Sequence, residues 1–197
     1  SMCTAITYET KDHYFGRTLD LERTYEERVT VTLRNHEFRF RKKDSIKKHY
    51  AIIGMATVVD GYPLYYEAAN EKGLCMAGLN FTGNAVYQKP CEDAVNVASY
   101  ELIPYVLSLC KKVKEAKVLL QRINITDRAF SEDLPVSQLH FIVADKCESI
   151  VVECVKTGVE IYDNPVGVLS NNPTFPYHIM NLANYMNISP HPAENRF

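Results

Sequence analysis

The residue with the most distinctive chemistry is Cys3, which follows a serine and a methionine at the start of the sequence. If Met2 is the natural initiator, Ser1 is an expression scar and processing would leave Cys3 as the first residue. A first-residue cysteine carries a thiol nucleophile and an α-amine in one residue. Because α-amines titrate near neutral pH, this amine can accept the thiol proton and return it to a leaving group. The alternative is a small buried cysteine at the start of a strand.

Two charged residues are predicted to return to Cys3 through a β-hairpin. Residues 3–9 alternate and are rich in β-branched and aromatic types, which predicts a strand, and residues 13–18 predict the returning strand. The pairing carries Arg17 and Asp20 back toward the cysteine. A guanidinium near a thiol favours the thiolate, and a carboxylate near an amine holds and orients it. The alternative is a surface arginine and aspartate beside a hairpin.

Two asparagines stand where predicted strands end. The apolar stretch 74–79 runs directly into Asn80, and the stretch 166–169 is followed by Ser170 and Asn171. A side-chain amide at such a position can donate to an oxyanion that develops during acyl transfer. Taken alone, Asn80 is only an ordinary turn asparagine.

The order of predicted elements indicates an α+β fold with largely antiparallel sheets. Strands precede two helical segments, one after a possible N-cap at Ser99 and one over about 112–123. Further strands follow, including 139–144, and a helix is predicted over about 176–186. His140 lies within an apolar strand, which favours a hydrogen-bonded core histidine over a ligand.

Composition sets the limits of function. The chain has 197 residues with 46% hydrophobic content, a net charge of −2 and a pI near 6.3, which gives no drive toward nucleic acid or anionic membranes. We expect one domain over 1–197, with no membrane span and no export signal. Six cysteines without a C-x-x-C pair predict reduced thiols, no zinc site and a cytoplasmic protein.

A basic segment, 34–48, holds seven Lys/Arg with Phe38 and Phe40 interleaved. Basic residues with aromatics can grip a nucleic-acid strand. Acidic residues interrupt the segment, so a solvated hairpin with charged flanks is the favoured interpretation.

With these residues in view, the chain resembles the choloylglycine hydrolase family, which contains bile salt hydrolases and penicillin V acylases. Five stretches carry the resemblance, in the family's order and across almost the whole chain: Met2-Cys3-Thr4-Ala5, Phe15-Gly16-Arg17-Thr18-Leu19-Asp20, Asn70-Glu71-Lys72-Gly73-Leu74, Ala77-Gly78-Leu79-Asn80-Phe81 and residues 164–173. The resemblance implies an N-terminal-nucleophile hydrolase with a four-layer αββα sandwich, two antiparallel sheets packed between helices.

The resemblance also implies catalytic roles. Cys3 would be the nucleophile, with its freed α-amine as general base and then general acid. Arg17 and Asp20 would tune and hold that residue. Asn80 and the backbone N–H after it would form the oxyanion hole, and Asn171 would position the amine. The implied reaction is hydrolysis of the amide between a bile acid and glycine or taurine through a thioester, with no metal or cofactor, in cytoplasmic tetramers of gut bacteria.

Within the family, an asparagine at Asn80 resembles the bile salt hydrolase type, since penicillin V acylases usually carry tyrosine there. A steroid needs an apolar slot, and four residues are candidates to line it by alignment, although each is equally ordinary core: Leu19, Val59, Tyr66 and Phe130. The alternatives are a penicillin V acylase and a truncated, inactive family member that only binds bile acids.

Two departures from the family pattern shape these expectations. Because Ser1-Met2 precedes Cys3, its amine lies in a peptide bond, and we expect little activity until those two residues are removed. The family chain normally continues with a further active-site arginine in a Ser-Arg-Phe context. Residues 195–197 do not match that context, so Arg196 receives no role and the C-terminal part of the family fold is expected to be lacking.

Overall fold

The structure, a computed structural model, describes residues 2–40, 45–186 and 188. Within these ranges the strands are β1 (Thr4–Glu9), β2 (His13–Thr18), β3 (Arg28–Thr32), β4 (Ile52–Val59), β5 (Tyr62–Asn70), β6 (Cys75–Asn80), β7 (Val95–Ala98), β8 (Ile123–Thr126), β9 (Leu139–Ala144), β10 (Ser149–Val155), β11 (Gly158–Asp163) and β12 (Val168–Ser170). The α-helices are α1 (Leu102–Leu109), α2 (Val113–Leu120) and α3 (Phe175–Leu182), with 3₁₀ turns at Ser99–Glu101 and Ala183–Tyr185.

Seven strands form the central antiparallel sheet, in the order β11-β10-β9-β6-β5-β4-β3. Its middle strands β6, β9 and β10 are buried almost throughout, because helices cover one face and a second sheet covers the other. On the helical side, Leu102 of α1 and Leu120 of α2 share one apolar core with Phe141 of β9. This explains why these strands read as continuous apolar runs rather than alternating ones.

The second sheet has three strands in the order β12-β1-β2 and packs on the opposite face of the central sheet. Its inner residues Cys3, Ala5 and Leu169 are buried in a second apolar cluster with Leu79 and Phe175. Its outer face is exposed in the described structure and presents Ile6, Tyr8, Tyr14 and Val168. The sheet interface therefore lies directly beneath the start of β1.

The predicted α+β pattern is observed, with several local differences. β2 matches the predicted 13–18 strand, but the second helix ends at Leu120 rather than near residue 123, because Ile123 begins β8. Ser99 starts a 3₁₀ turn instead of capping α1, and the Glu101 carboxylate accepts a hydrogen bond from the Ala98 N–H at 2.9 Å. β7 and β8, which pair in parallel, were not predicted.

The aromatic residues of the basic segment belong to the core. Phe38 is fully buried and Phe40 is 6% exposed, and an isolated bridge joins Phe38 to Ile46. Buried rings offer no stacking face to a base, so the nucleic-acid interpretation loses the feature it depended on. Residues 41–44, which hold three of the basic side chains, lie outside the described residues.

Candidate active site

Cys3 lies at the edge of the smaller sheet where β1 begins and the neighbouring strands β2 and β12 end. It precedes β1, the central strand, in which Thr4 pairs with Thr18 on one side and with Ser170 on the other. One step along that register, Cys3 adjoins the ends of β2 and β12. The residue is 4% exposed and its thiol is not in a disulfide. It is thus a buried cysteine that is held among the predicted site residues.

The Asp20 side chain lies beside the backbone of Met2, the residue before Cys3. Its Oδ2 accepts a hydrogen bond from the Met2 N–H at 2.9 Å, and the Thr4 N–H donates to the Thr18 hydroxyl at 3.0 Å. The hairpin therefore returns the carboxylate to the first residues of the chain, as predicted. Asp20 is placed to hold a nitrogen of this segment by a charge-assisted hydrogen bond.

Arg17 crosses from the smaller sheet to the central one. Its side chain is 3% exposed, and its Nη1 donates to the carbonyls of Gly78 at 2.6 Å and Tyr66 at 3.3 Å. Opposite it on β1 is Ala5, two residues from Cys3 and on the same inner face. The guanidinium therefore lies within the sheet interface and joins β2 to β5 and β6.

Glu67 lies beside Arg17 and was not among the site residues predicted from the sequence. Its Oε2 lies 3.7 Å from Arg17 Nε. Burial raises the pKa of Glu67 from its ordinary 4.5 to about 6, while the Arg17 charge acts in the opposite direction. Among the described residues, that oxygen has no hydrogen-bond partner. The sequence does hold a signal for this residue. Glu67 is a carboxylate inside the apolar stretch of β5, and a buried carboxylate needs a cation beside it.

Asn80 is the last residue of β6 and its side chain is exposed, as the strand-end prediction requires. Its Oδ1 accepts a hydrogen bond from the Thr82 hydroxyl at 3.2 Å. The following backbone N–H, however, is already engaged: Phe81 donates to the Gln138 carbonyl at 2.8 Å. The role of this N–H in an oxyanion hole stays a prediction, and it would require the N–H to leave the Gln138 carbonyl. The Asn80 side-chain amide is the other candidate donor.

Asn171 directly follows β12, and its segment contacts the turn after Asn80. The Asn171 carbonyl accepts a hydrogen bond from His178 Nε2 at 3.0 Å. The neighbouring Asn172 donates from Nδ2 to the Thr82 carbonyl at 2.6 Å. The structure thus brings together two strand ends that are far apart in sequence and belong to different sheets.

The four lining candidates fall into different surroundings. Tyr66 hydrogen-bonds the Thr57 hydroxyl at 3.0 Å, and burial raises its pKa above the ordinary tyrosine value. Phe130 instead packs against Tyr62, with ring centroids 5.6 Å apart. Leu19 and Val59 are both half-buried. Leu19 directly follows β2, and Val59 is the last residue of β4.

Two open surface depressions, of about 390 and 610 Å³, are lined by other residues than Cys3 and these four. The larger one has the charged residues Arg34, Lys48 and Glu71 in its wall. Neither depression is lined by a cysteine, so the candidate site is placed at Cys3 and not at either of them. The steroid-lining assignment stays a prediction.

The described part of the chain contains no cluster of three His, Cys, Asp or Glu side chains arranged to hold a metal ion. None of its helices is long and apolar enough to cross a membrane.

The chain belongs to the choloylglycine hydrolase family of linear amide C–N hydrolases, whose family model matches residues 3–197. It is 53% identical over 196 residues to a bile salt hydrolase/transferase of Lactiplantibacillus plantarum, a match that covers 100% of this chain and 60% of the relative. It is 40% identical to a conjugated bile acid hydrolase of Lactobacillus gasseri, over 98% of this chain and 62% of that protein. The chain thus spans about 60% of the length of these relatives.

Solved structures agree with this assignment. A conjugated bile acid hydrolase from Clostridium perfringens matches with a TM-score of 0.91 and 36% identity, over 97% of this chain and 60% of that one. A penicillin V acylase from Agrobacterium tumefaciens matches with a TM-score of 0.77 and 18% identity, over 96% and 58%. The second likeness is one of fold alone. The predicted α+β sandwich of the N-terminal-nucleophile hydrolase type is confirmed.

Proposed function

We propose that the protein hydrolyses the amide joining a bile acid to glycine or taurine, with Cys3 as the nucleophile. The observation that carries the proposal is the position of this buried thiol. It lies where β1 begins and β2 and β12 end, and the Asp20 carboxylate accepts a hydrogen bond from the N–H of Met2 at 2.9 Å. The relatives named for bile acid hydrolysis at 53% and 40% identity support the substrate class.

In the proposed reaction, the α-amine of Cys3, once freed of Ser1-Met2, accepts the thiol proton. The sulfur forms a bond to the amide carbon, and the carbonyl oxygen becomes an oxyanion that the Asn80 amide stabilises. The C–N bond breaks as the amine returns its proton to the departing glycine or taurine nitrogen. Water then attacks the thioester carbon and gives one proton to the amine. The C–S bond breaks, the bile acid leaves, and the amine returns the proton to the thiolate.

The charged residues have supporting roles in this proposal. Asp20 holds the freed amine, since its carboxylate already binds a backbone nitrogen one residue away. Asn171 orients the same amine from the end of β12. Arg17 links the hairpin to the carbonyls of β5 and β6 and contributes positive charge to the sheet interface.

The family resemblance also leads us to propose a cytoplasmic homo-tetramer. The exposed apolar side chains on the outer face of the smaller sheet, Ile6, Tyr8 and Tyr14 among them, support burial of that face against another surface. Sedimentation equilibrium measures the assembly, and a monomeric mass contradicts it.

The test compares a form beginning at Cys3, the form that retains Ser1-Met2, and a Cys3→Ala variant of the first. Each is incubated with glycocholate, taurocholate and penicillin V, and the released amine or acid is quantified. We expect release of glycine or taurine only from the form beginning at Cys3. Preferential cleavage of penicillin V would reassign the substrate. Binding of taurocholate without release would favour a non-enzymatic bile-acid binder.

A further inference from the structure

A fully buried ionisable pair lies beneath the site and has no part in the proposed chemical steps. His140 of β9 and Glu153 of β10 are each 0% exposed, and the imidazole Nδ1 lies 3.0 Å from Glu153 Oε1. The prediction of a hydrogen-bonded core histidine is confirmed. Burying two such groups is costly unless they are paired and hydrogen-bonded. Among the described residues Glu153 Oε2 has no hydrogen-bond partner, so the contacts of the other three polar atoms indicate what the pair does.

The pair binds both ends of the segment that contains Asn171. His140 Nε2 lies 2.7 Å from the Ser170 carbonyl, and since a carbonyl only accepts, this nitrogen is the donor. Glu153 Oε1 accepts the Phe175 N–H at 2.8 Å. The segment between these two anchors is the connection from β12 to α3. Its two ends are therefore fixed to the central sheet.

The same imidazole also contacts the other asparagine-bearing strand end. The Phe81 ring, which directly follows Asn80, stacks on His140 with centroids 4.2 Å apart and planes 11° apart. On β6, the residue paired with His140 is Leu79, which immediately precedes Asn80. One side chain thus touches the residue after Asn80 and the residue before Asn171.

We propose that His140 is a positioning residue that sets Asn80 and Asn171 relative to each other, with Glu153 fixing the imidazole. The proposal rests on the proposed function, in which these two amides serve the oxyanion and the amine. Catalytic groups displaced by about 1 Å lose on the order of 100-fold in rate. A ring held by two hydrogen bonds and one stacking contact prevents such a displacement.

The test uses the form beginning at Cys3 and two site-linked variants. His140→Phe keeps an aromatic ring but loses both hydrogen bonds, and Glu153→Gln keeps an acceptor for the Phe175 N–H. The matched control is Thr32→Val, which removes a different buried hydrogen bond, to the Tyr65 hydroxyl at 2.6 Å, on strand β3. kcat and KM for glycocholate are measured for all forms.

We expect kcat to fall about 100-fold in His140→Phe and about tenfold in Glu153→Gln, with KM changed less than about twofold. The Thr32→Val control should keep both constants. Equal constants in the site-linked and control variants would overturn the proposal. If His140→Phe does not fold, the comparison of Glu153→Gln with the control decides in the same way.

A second measurement does not depend on turnover, and it separates this proposal from the proposed function. In protein with isotope-labelled asparagine, the side-chain amide NMR signals of Asn80 and Asn171 are assigned with Asn→Asp variants. We expect both signals to shift or broaden in the site-linked variants and to stay in place in Thr32→Val. Unmoved signals would overturn the positioning role even in an active enzyme. If the signals move and the protein is inactive, the positioning role of His140 is supported and the proposed function fails.

Discussion

Glu67→Gln tests the electrostatics of the sheet interface. Burial raises the pKa of this carboxyl to about 6, although Arg17 lies 3.7 Å away. The folded protein therefore binds the Glu67 proton more tightly than the unfolded chain does. This contribution to stability is fully present below about pH 4.5, the ordinary value for the group, and is lost as the pH rises through about 6.

The magnitude follows from the two proton affinities. Because a tenfold change in a proton-binding constant corresponds to about 1.4 kcal/mol, a rise from 4.5 to about 6 corresponds to about 2 kcal/mol. Glutamine carries no titrating proton and fills the same space. The free energy of unfolding of the natural chain, relative to Glu67→Gln, should therefore fall by about 2 kcal/mol between about pH 4 and about pH 7.5.

Urea unfolding followed by circular dichroism measures this difference, since the chain has no tryptophan. Glu71→Gln is the matched control, because its hydrogen bonds with Arg34 lower the pKa of Glu71 to about 2. The stabilisation from Glu71 is present above about pH 4.5 and is lost toward pH 2, which is the opposite trend. A pH-independent difference for Glu67→Gln would refute the assignment of a destabilised carboxylate at this position.

Three further predictions concern stability and are measured by the same unfolding assay. Asn70→Ala should lower the free energy of unfolding by about 3 kcal/mol, because the buried amide donates to the Leu107 and Cys110 carbonyls at 2.8 and 2.7 Å; a loss below about 1 kcal/mol contradicts this. Gly54→Ala should prevent folding or cost more than about 3 kcal/mol, since its Cβ would lie 2.1 Å from the Glu67 carbonyl oxygen. Gly16→Ala should be tolerated, because nothing lies within 4 Å of the added carbon, and a comparable loss there would refute the steric argument.

Local patterns predicted the elements that carry the candidate site. The alternation in 3–9, with 13–18 as the returning strand, predicted the hairpin that returns Asp20 to the first residues. The apolar run before Asn80 predicted the end of β6. These features depend on residues near one another in sequence, where side-chain periodicity is informative.

Other features depend on pairings that a single sequence does not specify. β7 and β8 are four residues each and pair in parallel across an intervening pair of helices, so the second predicted helix was extended to Ile123, which begins β8. Arg17 was predicted to lie near the Cys3 thiol, whereas its guanidinium contacts the carbonyls of Tyr66 and Gly78 and the carboxylate of Glu67. Long-range contacts of this kind are set by how the sheets stack, which local propensity does not encode.

The central claim is that Cys3 forms a covalent acyl intermediate, and peptide mass spectrometry tests it most directly. The form beginning at Cys3 is mixed with glycocholate, quenched in acid during turnover, digested and analysed. We predict a cholyl thioester on the peptide that contains Cys3 and none in the form that retains Ser1-Met2. Glycine release with no acyl group on Cys3, or an acyl group on another cysteine, would contradict the account.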